Sequence, residues 1–479
     1  MFFALLSVLC FLNSVRRDGP LDRPVSSARP AVAPYQYLVS LVFFALALLS
    51  KTQVVFLPFV LLLCTWWQHK EYAGIGRVRP PGAPNERGGG VGDPSLPKAV
   101  VQVWPFFLLA IVLGLITMWF QNRGIGEEDI VIGSLPRRFI NAAMAIWWYA
   151  SHVVAPVRLM AIYPNWRFDS PRVLEWLPLI ALVAVLVSLW HCRNRGTRSA
   201  FVAVACFIVA LLPVLGLVRM AYVRSGTLVA DHLQYFADVP LLALFCAGVA
   251  YAWNQRQHPA KIATATVITV LVGALGIYAF ARAEVYRNEE TLWPDNLSKN
   301  PDAWQAHIMM AQRRFKQERY SEAAYYARRA AELKPELPDI HNELGLAYCR
   351  LERFEEGIAE YRKALQLKEA KPSTARSAGV AKIRANLANA LAITANHLSE
   401  STPTVPEEAM RRYDEAVRQY EESLALDPQQ PAIHRNLGML LAQLGRYDEA
   451  IPHLRATLQM VPNEPVARET LDAIEATRH

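Results

Sequence analysis

Hydrophobic and polar positions follow two different patterns along this chain. Up to about residue 284, apolar runs alternate with short polar segments. The runs cover 1–12, 37–49, 54–67, 100–120, 174–192, 200–218, 239–253 and 262–281. A helix needs about 20 residues to cross a bilayer, and about 17 at the short end. Several runs reach that length alone, others only with their flanks. The stretch 37–67 is interrupted by Ser50, Lys51 and Thr52. As one helix it would be about 45 Å long, against a hydrocarbon core of about 30 Å, so the pattern predicts a helical hairpin turning at Lys51. Residues 139–162 are less uniform, with His152, Pro156 and Arg158 among the apolar positions. Trp147, Trp148 and Tyr149 in that region suit a bilayer–water interface. An interfacial helix is expected there, with a crossing left open.

After residue 300 the pattern repeats at about 34 residues, the period of helix-turn-helix solenoids. One unit carries Trp304, Ala311, Ala323, Ala330 and Pro335, and the next Leu344, Gly345, Tyr348, Gly357, Tyr361 and Ala364. A third has Leu387, Ala388, Ala416, Tyr420 and Pro428, and a fourth Leu437, Gly438, Ala450 and Pro462. A small residue early in the first helix lets the second helix pack close, and the proline ends the second helix. These features resemble the tetratricopeptide repeat. About 16 extra residues in the third unit, around 397–412, contain Pro403 and Pro406 and are expected to form a loop.

The expected fold is therefore all-α. A polytopic membrane domain of about eight helices spans 1–284, a linker follows at 285–300, and a tetratricopeptide-repeat α-solenoid occupies 301–479. Charge sharpens this division. Residues 1–284 hold 24 Lys and Arg against 13 Asp and Glu, and residues 285–479 hold 26 against 29. The overall +8 thus arises in the apolar part, where basic loops report topology, and it does not point to nucleic acid. The loops at 14–35, 68–99, 193–199 and 254–261 carry 4, 5, 3 and 2 basic residues. Placing them in the cytoplasm puts the N-terminus and the solenoid outside, in a multi-pass protein of the plasma (inner) membrane. The apolar start lacks preceding basic residues and a small-residue cleavage site, and reads as a membrane segment. No CxxC is present, and the Gly-rich loop at 72–98 lacks the phosphate-binding arrangement.

Ionisable groups beside membrane helices are candidates for function because desolvating them is costly. Lys51, Arg219 or Arg224 is expected to pair with a lipid-linked phosphate, the alternative for Lys51 being a side chain that snorkels at a helix end. Asp231 is the candidate catalytic acid or base, or a metal ligand, with His232 beside it; Tyr235 would stack on a sugar or sit at the interface. Glu127, Glu128 and Asp129 read as a solvated loop. In the solenoid, Asn386 and Asn436 are placed to contact a bound peptide backbone or to serve helix packing. His307, His341 and His434 recur at one position of the first helix; repeat packing accounts for them, so no metal ligands are assigned. A divalent metal is the one cofactor this reading leaves room for.

The segment FFALALLSKTQVVFLPFVLLLCTWW resembles multispanning proteins with C-terminal tetratricopeptide repeats. These are related to protein O-mannosyltransferases of the C class of glycosyltransferase folds. RFINAAMAIWWYASHVVAPVRLMAIYP is similar to that family's stretch ending in Tyr-Pro. LLPVLGLVRM with the following VADHLQYFADVPLLAL is similar to its Leu-Pro-Val-Leu-Gly and Ala-Asp-Arg-Tyr elements, although the Arg-Tyr pair is altered here. The resemblance implies a polyprenyl-phosphate-sugar donor, transfer to protein hydroxyls, and a solenoid that recruits the acceptor protein. It also implies an acidic loop preceding the matched region, so the chain reads as a truncated or degenerate homologue. The alternative is a membrane-anchored scaffold without enzymatic activity.

Overall fold

The structure, a computed structural model, describes residues 1–17, 33–75, 96–125, 133–164, 166, 169, 172–195, 197–217, 227–255, 258–370, 376–400 and 406–478. Every regular element among them is helical. The chain divides into two compact units, the first ending at Asn288 and the second formed by Glu289–His479.

The first unit contains α1 (Phe2–Arg17), α2 (Ala33–Ser50), α3 (Leu57–Ile75), α4 (Leu96–Ile125), α5 (Leu135–Val154), α6 (Leu177–His191), α7 (Arg198–Leu211), the single turn α8 (Asp231–Gln234), α9 (Asp238–Asn254) and α10 (His258–Val285). Lys51 is extended and separates α2 from the short 3-10 turn Thr52–Phe56. One core joins Phe11, Phe44, Leu61, Phe106 and Cys206, from α1, α2, α3, α4 and α7. A second gathers Ala145 and Tyr149 of α5, Phe207 and Leu211 of α7, and Tyr163, Val229 and Leu233. By contrast, α6 and α9 bury no side chain, and α10 carries exposed Val267, Leu271, Ile277 and Phe280. Contiguous exposed apolar surface of this kind marks a partner or a membrane.

Of the eight apolar runs, three form helices long and apolar enough to cross a membrane: Val100–Phe120, Val173–His191 and Ala260–Val285. Five others, including Phe2–Ser14 and Asp238–Asn254, make shorter apolar helices. The 139–162 region is helical only to Val154. Its Tyr149 is buried in the second core, and its hydroxyl accepts from the Ala230 amide at 3.3 Å. Trp147 is exposed and donates to the Pro178 carbonyl at 2.9 Å. Arg137, at 2% exposure, ties the start of α5 to Glu175 at 2.8 Å and to the Asp169 carbonyl at 2.7 Å.

The second unit begins with α11 (Glu289–Lys299). Four helix pairs follow: α12 (Trp304–Lys316) with α13 (Tyr320–Leu333), α14 (Pro338–Arg350) with α15 (Phe354–Glu369), α16 (Arg376–Glu400) with α17 (Glu407–Leu426), and α18 (Pro431–Gln443) with α19 (Tyr447–Met460). The helix α20 (Pro465–Arg478) packs on the last pair. The extra residues of the third pair lie chiefly in helix rather than in the expected loop, since α16 runs to Glu400 and α17 starts at Glu407. Ser399 and Tyr413 meet within this lengthened part, and the Tyr413 hydroxyl also donates to Asn396 at 2.7 Å, so the added turns brace each other.

Alanines at the helix crossings are fully buried, among them Ala330, Ala364, Ala388, Ala416 and Ala450. The turn within each regular pair closes the same way. The amides of Arg319, Arg353 and Arg446 donate at 2.9 Å to the carbonyls of Arg314, Tyr348 and Leu441. This closure needs a left-handed residue. Gly445 fills it in the last pair at φ 73°, but Glu318 and Glu352 do so at φ 60°. A side chain costs about 1–2 kcal/mol there. Glu352→Gly is therefore expected to stabilise the solenoid by roughly 0.5–1 kcal/mol, after allowing for glycine's freedom in the unfolded chain. Chemical denaturation measures this; an unchanged or lower midpoint would contradict it.

Candidate functional sites

In the first unit, residues far apart in sequence converge on the start of α8. The Asp231 carboxylate accepts from the Tyr163 hydroxyl at 2.7 Å, and that hydroxyl in turn accepts from the Met160 amide at 3.2 Å. Lys51 donates through Nζ to the His232 carbonyl at 3.0 Å. Trp148 stacks on His152 with ring centroids 3.8 Å apart and meets Tyr163 edge-on. Arg282 of α10 donates to the Leu159 carbonyl at 2.8 Å.

Burial pushes the Asp231 carboxyl above its ordinary value. The Tyr163 hydrogen bond and the charges of His152, His232 and Arg282 offset this only in part. Burial also lowers Lys51, and together with the Lys51 charge it lowers His232. The cluster can hold a proton on a carboxyl and offer cationic groups to an anion.

A carboxyl whose folded pKa exceeds its unfolded value holds its proton more tightly when folded. The folded state then loses relative stability as pH rises from about 4 through the raised value. Asp231→Asn keeps an acceptor for Tyr163 and removes this loss. It is expected to stabilise the first unit above that window and to flatten its pH profile. Thermal denaturation across the acid-to-neutral range gives the answer; profiles that run parallel for wild type and variant would refute it.

The structure thus brings Lys51, Asp231 and His232 together. Tyr235 is exposed, at 57%. Arg219 and Arg224, and the acidic trio Glu127–Asp129, lie outside the described residues. Tyr163, His152 and Arg282 were missed by sequence reasoning. They stand 68 or more residues from one or another partner in the cluster, and no local spacing links them to Asp231.

In the second unit, α14, α16 and α18 line a groove of about 450 Å³ with contributions from α15 and α17. Its apolar positions include Leu346, Phe354, Ile393 and Met439, and Arg350 is its one charged lining residue. Amides run along it. Asn386 donates to Asn342, Asn436 to Asn389 and Gln443 to Asn396, each at 2.9 Å. Tyr420 also donates to Asn389. The Oδ1 atoms of Asn389 and Asn396 thus each accept twice, while neither Nδ2 donates to a described protein acceptor. Asn386 and Asn436 serve the helix interface and line the groove at once. Asn389 and Asn396 were missed, although spacings of 3 and 10 residues from Asn386 place all three on one helix face.

The recurring histidines share one backbone contact. His307, His341 and His434 direct Nε2 at the carbonyls of Pro301, Pro335 and Pro428. Among the described residues no three His, Cys, Asp or Glu side chains gather to hold a metal.

No curated protein matches the chain. Several solved structures are similar to part of it. The protein YrrB, titled as a TPR protein with an unusual peptide-binding site, shares 18% identity over 42% of this chain and 86% of its own, with a TM-score of 0.30. PilF of Pseudomonas aeruginosa shares 18% over 43% and 87%, with a TM-score of 0.31. The first TPR of Spaghetti, bound to an HSP90 peptide, shares 20% over 30% and 93%, with a TM-score of 0.23. The tetratricopeptide repeat family model matches residues 308–373 and 407–465, so those parts of the second unit carry tetratricopeptide repeats, as their period and small-residue pattern predicted.

Proposed function

We propose that this chain is a membrane-anchored repeat protein whose solenoid binds an extended segment of a partner protein in the amide-lined groove. The unspent Nδ2 donors of Asn389 and Asn396 carry this reading. They lie among apolar lining residues, and an amide donor in such a place suits a peptide carbonyl. Among the described residues no carboxylate lines the groove, and Arg350 favours an uncharged or acidic segment. A displayed random-peptide library, selected on the full chain and counter-selected on an Asn389→Ala, Asn396→Ala variant, should enrich peptides specific to the wild type. Enrichment that fails to distinguish the two proteins would sink the groove.

Anchoring is supported by the three helices of spanning length and by the apolar exposed surfaces of α6, α9 and α10. The charge bias of the loops favours an extracytoplasmic solenoid in the plasma (inner) membrane. A reporter fused after His479 tests this, and a cytoplasmic signal would overturn the orientation.

The convergence of Lys51, Asp231, His232 and Tyr163 favours a second reading, transfer of a sugar from a polyprenyl-phosphate carrier to a protein held by the solenoid. In that reading Lys51 and Arg224 pair with the carrier phosphate, and Asp231 handles the acceptor proton. Asp231→Asn and Lys51→Ala should then abolish sugar transfer while leaving expression intact; unaltered transfer excludes both residues.

A further inference from the structure

The three recurring histidines differ in what stands opposite them. Nineteen residues on, the second helix of the same repeat presents Tyr326 to His307, Glu360 to His341 and His453 to His434. Among the described residues, only the pair on α18 and α19 sets imidazole against imidazole, with the two Nδ1 atoms 2.9 Å apart. Both rings are half-buried, so solvent reaches them.

We propose that His434 and His453 form a two-histidine site for a divalent transition metal of tetragonal preference, Cu²⁺ or Ni²⁺, which clips α18 to α19. Two imidazole nitrogens bound at right angles, each about 2.0–2.1 Å from one ion, stand about 2.9 Å apart; a tetrahedral angle would set them at about 3.3 Å. The observed separation therefore suits the square arrangement and disfavours a tetrahedral zinc site.

The surroundings of His434 fit the same role. Its Nε2–H donates to the Pro428 carbonyl, which leaves the Nδ1 lone pair facing His453. A backbone carbonyl holding the far nitrogen is the usual support of a metal-bound histidine. At 3.2 Å this anchor lies within the ordinary hydrogen-bond range, as do those of His307 and His341 at 2.9 Å. Without metal, the His453 Nδ1–H satisfies the His434 lone pair. On binding, that proton moves to His453 Nε2, and both rings stay neutral. Glu449, one turn before His453 on α19, is held by Arg446 in two hydrogen bonds of 2.8 and 2.7 Å. Water completes the coordination.

The test titrates the full chain, purified without a polyhistidine tag, with Cu²⁺ and separately with Ni²⁺ near neutral pH. His453→Tyr recreates the His–Tyr pairing of the first repeat and so removes a ligand while keeping a side chain this position already accommodates. One Cu²⁺ per chain is expected, with affinity about tenfold or more weaker in His453→Tyr and unchanged in His307→Ala. Cu²⁺ should raise the melting midpoint of the wild type and leave that of His453→Tyr in place. Equal affinity in wild type and His453→Tyr overturns the proposal, as does a lack of stoichiometric binding by the wild type. Either result leaves the pair as an N–H···N hydrogen bond.

Discussion

Gly345→Val is expected to lower the stability of the solenoid by about 3 kcal/mol, at the upper end of what overpacking costs. A Cβ built at Gly345 would stand 2.8 and 2.9 Å from ring atoms of Tyr361 and 3.0 Å from the carbonyl oxygen of Gly357. Tyr361 is 1% exposed, so its ring has no empty space to rotate into. The Gly357 oxygen belongs to the α15 backbone, so relief requires moving a helix. A branched side chain adds a second clash and recovers less helix propensity than alanine does. Gly345→Ala should cost less, about 1–2 kcal/mol, because alanine recovers about 1 kcal/mol of propensity. Over a unit of this size the valine variant should melt roughly 6–12 °C lower. Gly276→Ala in α10, where a Cβ meets nothing within 4 Å, is the control. A valine variant that melts with the wild type would show that the close α14–α15 approach does not hold the repeat together.

The second large effect concerns peptide binding. Asn389→Ala, Asn396→Ala should weaken a wild-type-selected peptide by about 1–3 kcal/mol, roughly 5- to 150-fold, if each amide contributes one hydrogen bond. The same substitutions strip acceptors from Tyr420, Tyr413, Asn436 and Gln443, so a fall in stability is also expected. The two effects separate by temperature. Binding measured well below the melting midpoint of the variant isolates the loss of donors. Calorimetry showing unaltered affinity there would remove both asparagines from recognition. Met439→Ala, at the exposed edge of the groove, keeps the amide ladder and should weaken binding less.

Local rules made much of the repeat legible before any fold was known. Gly345 and Gly438 stand at the same place in their repeats because each faces a large residue on the next helix, Tyr361 or Leu454. Such a constraint acts within one helix pair, so it leaves a periodic mark. Apolar runs are equally local, and each of the eight became helical, although among the described residues three reach spanning length. Pro403 and Pro406 mark only the boundary between the helices of the third pair: Pro406 stands just before α17, and most of the added residues extend the two helices.

Sequence by itself determined the all-helical class, the repeat period, the small residues at the crossings and the separation of an apolar from a charge-rich half. All of these follow from side-chain size and periodicity over a few turns. Tertiary structure alone decided which polar groups meet. Asp231 finds Tyr163 across 68 positions, Lys51 finds the His232 carbonyl across 181, and His434 faces a second imidazole only in the last repeat. Such pairings depend on helix packing between distant segments. The desolvation that shifts the Asp231 carboxyl exists only once that packing has excluded water.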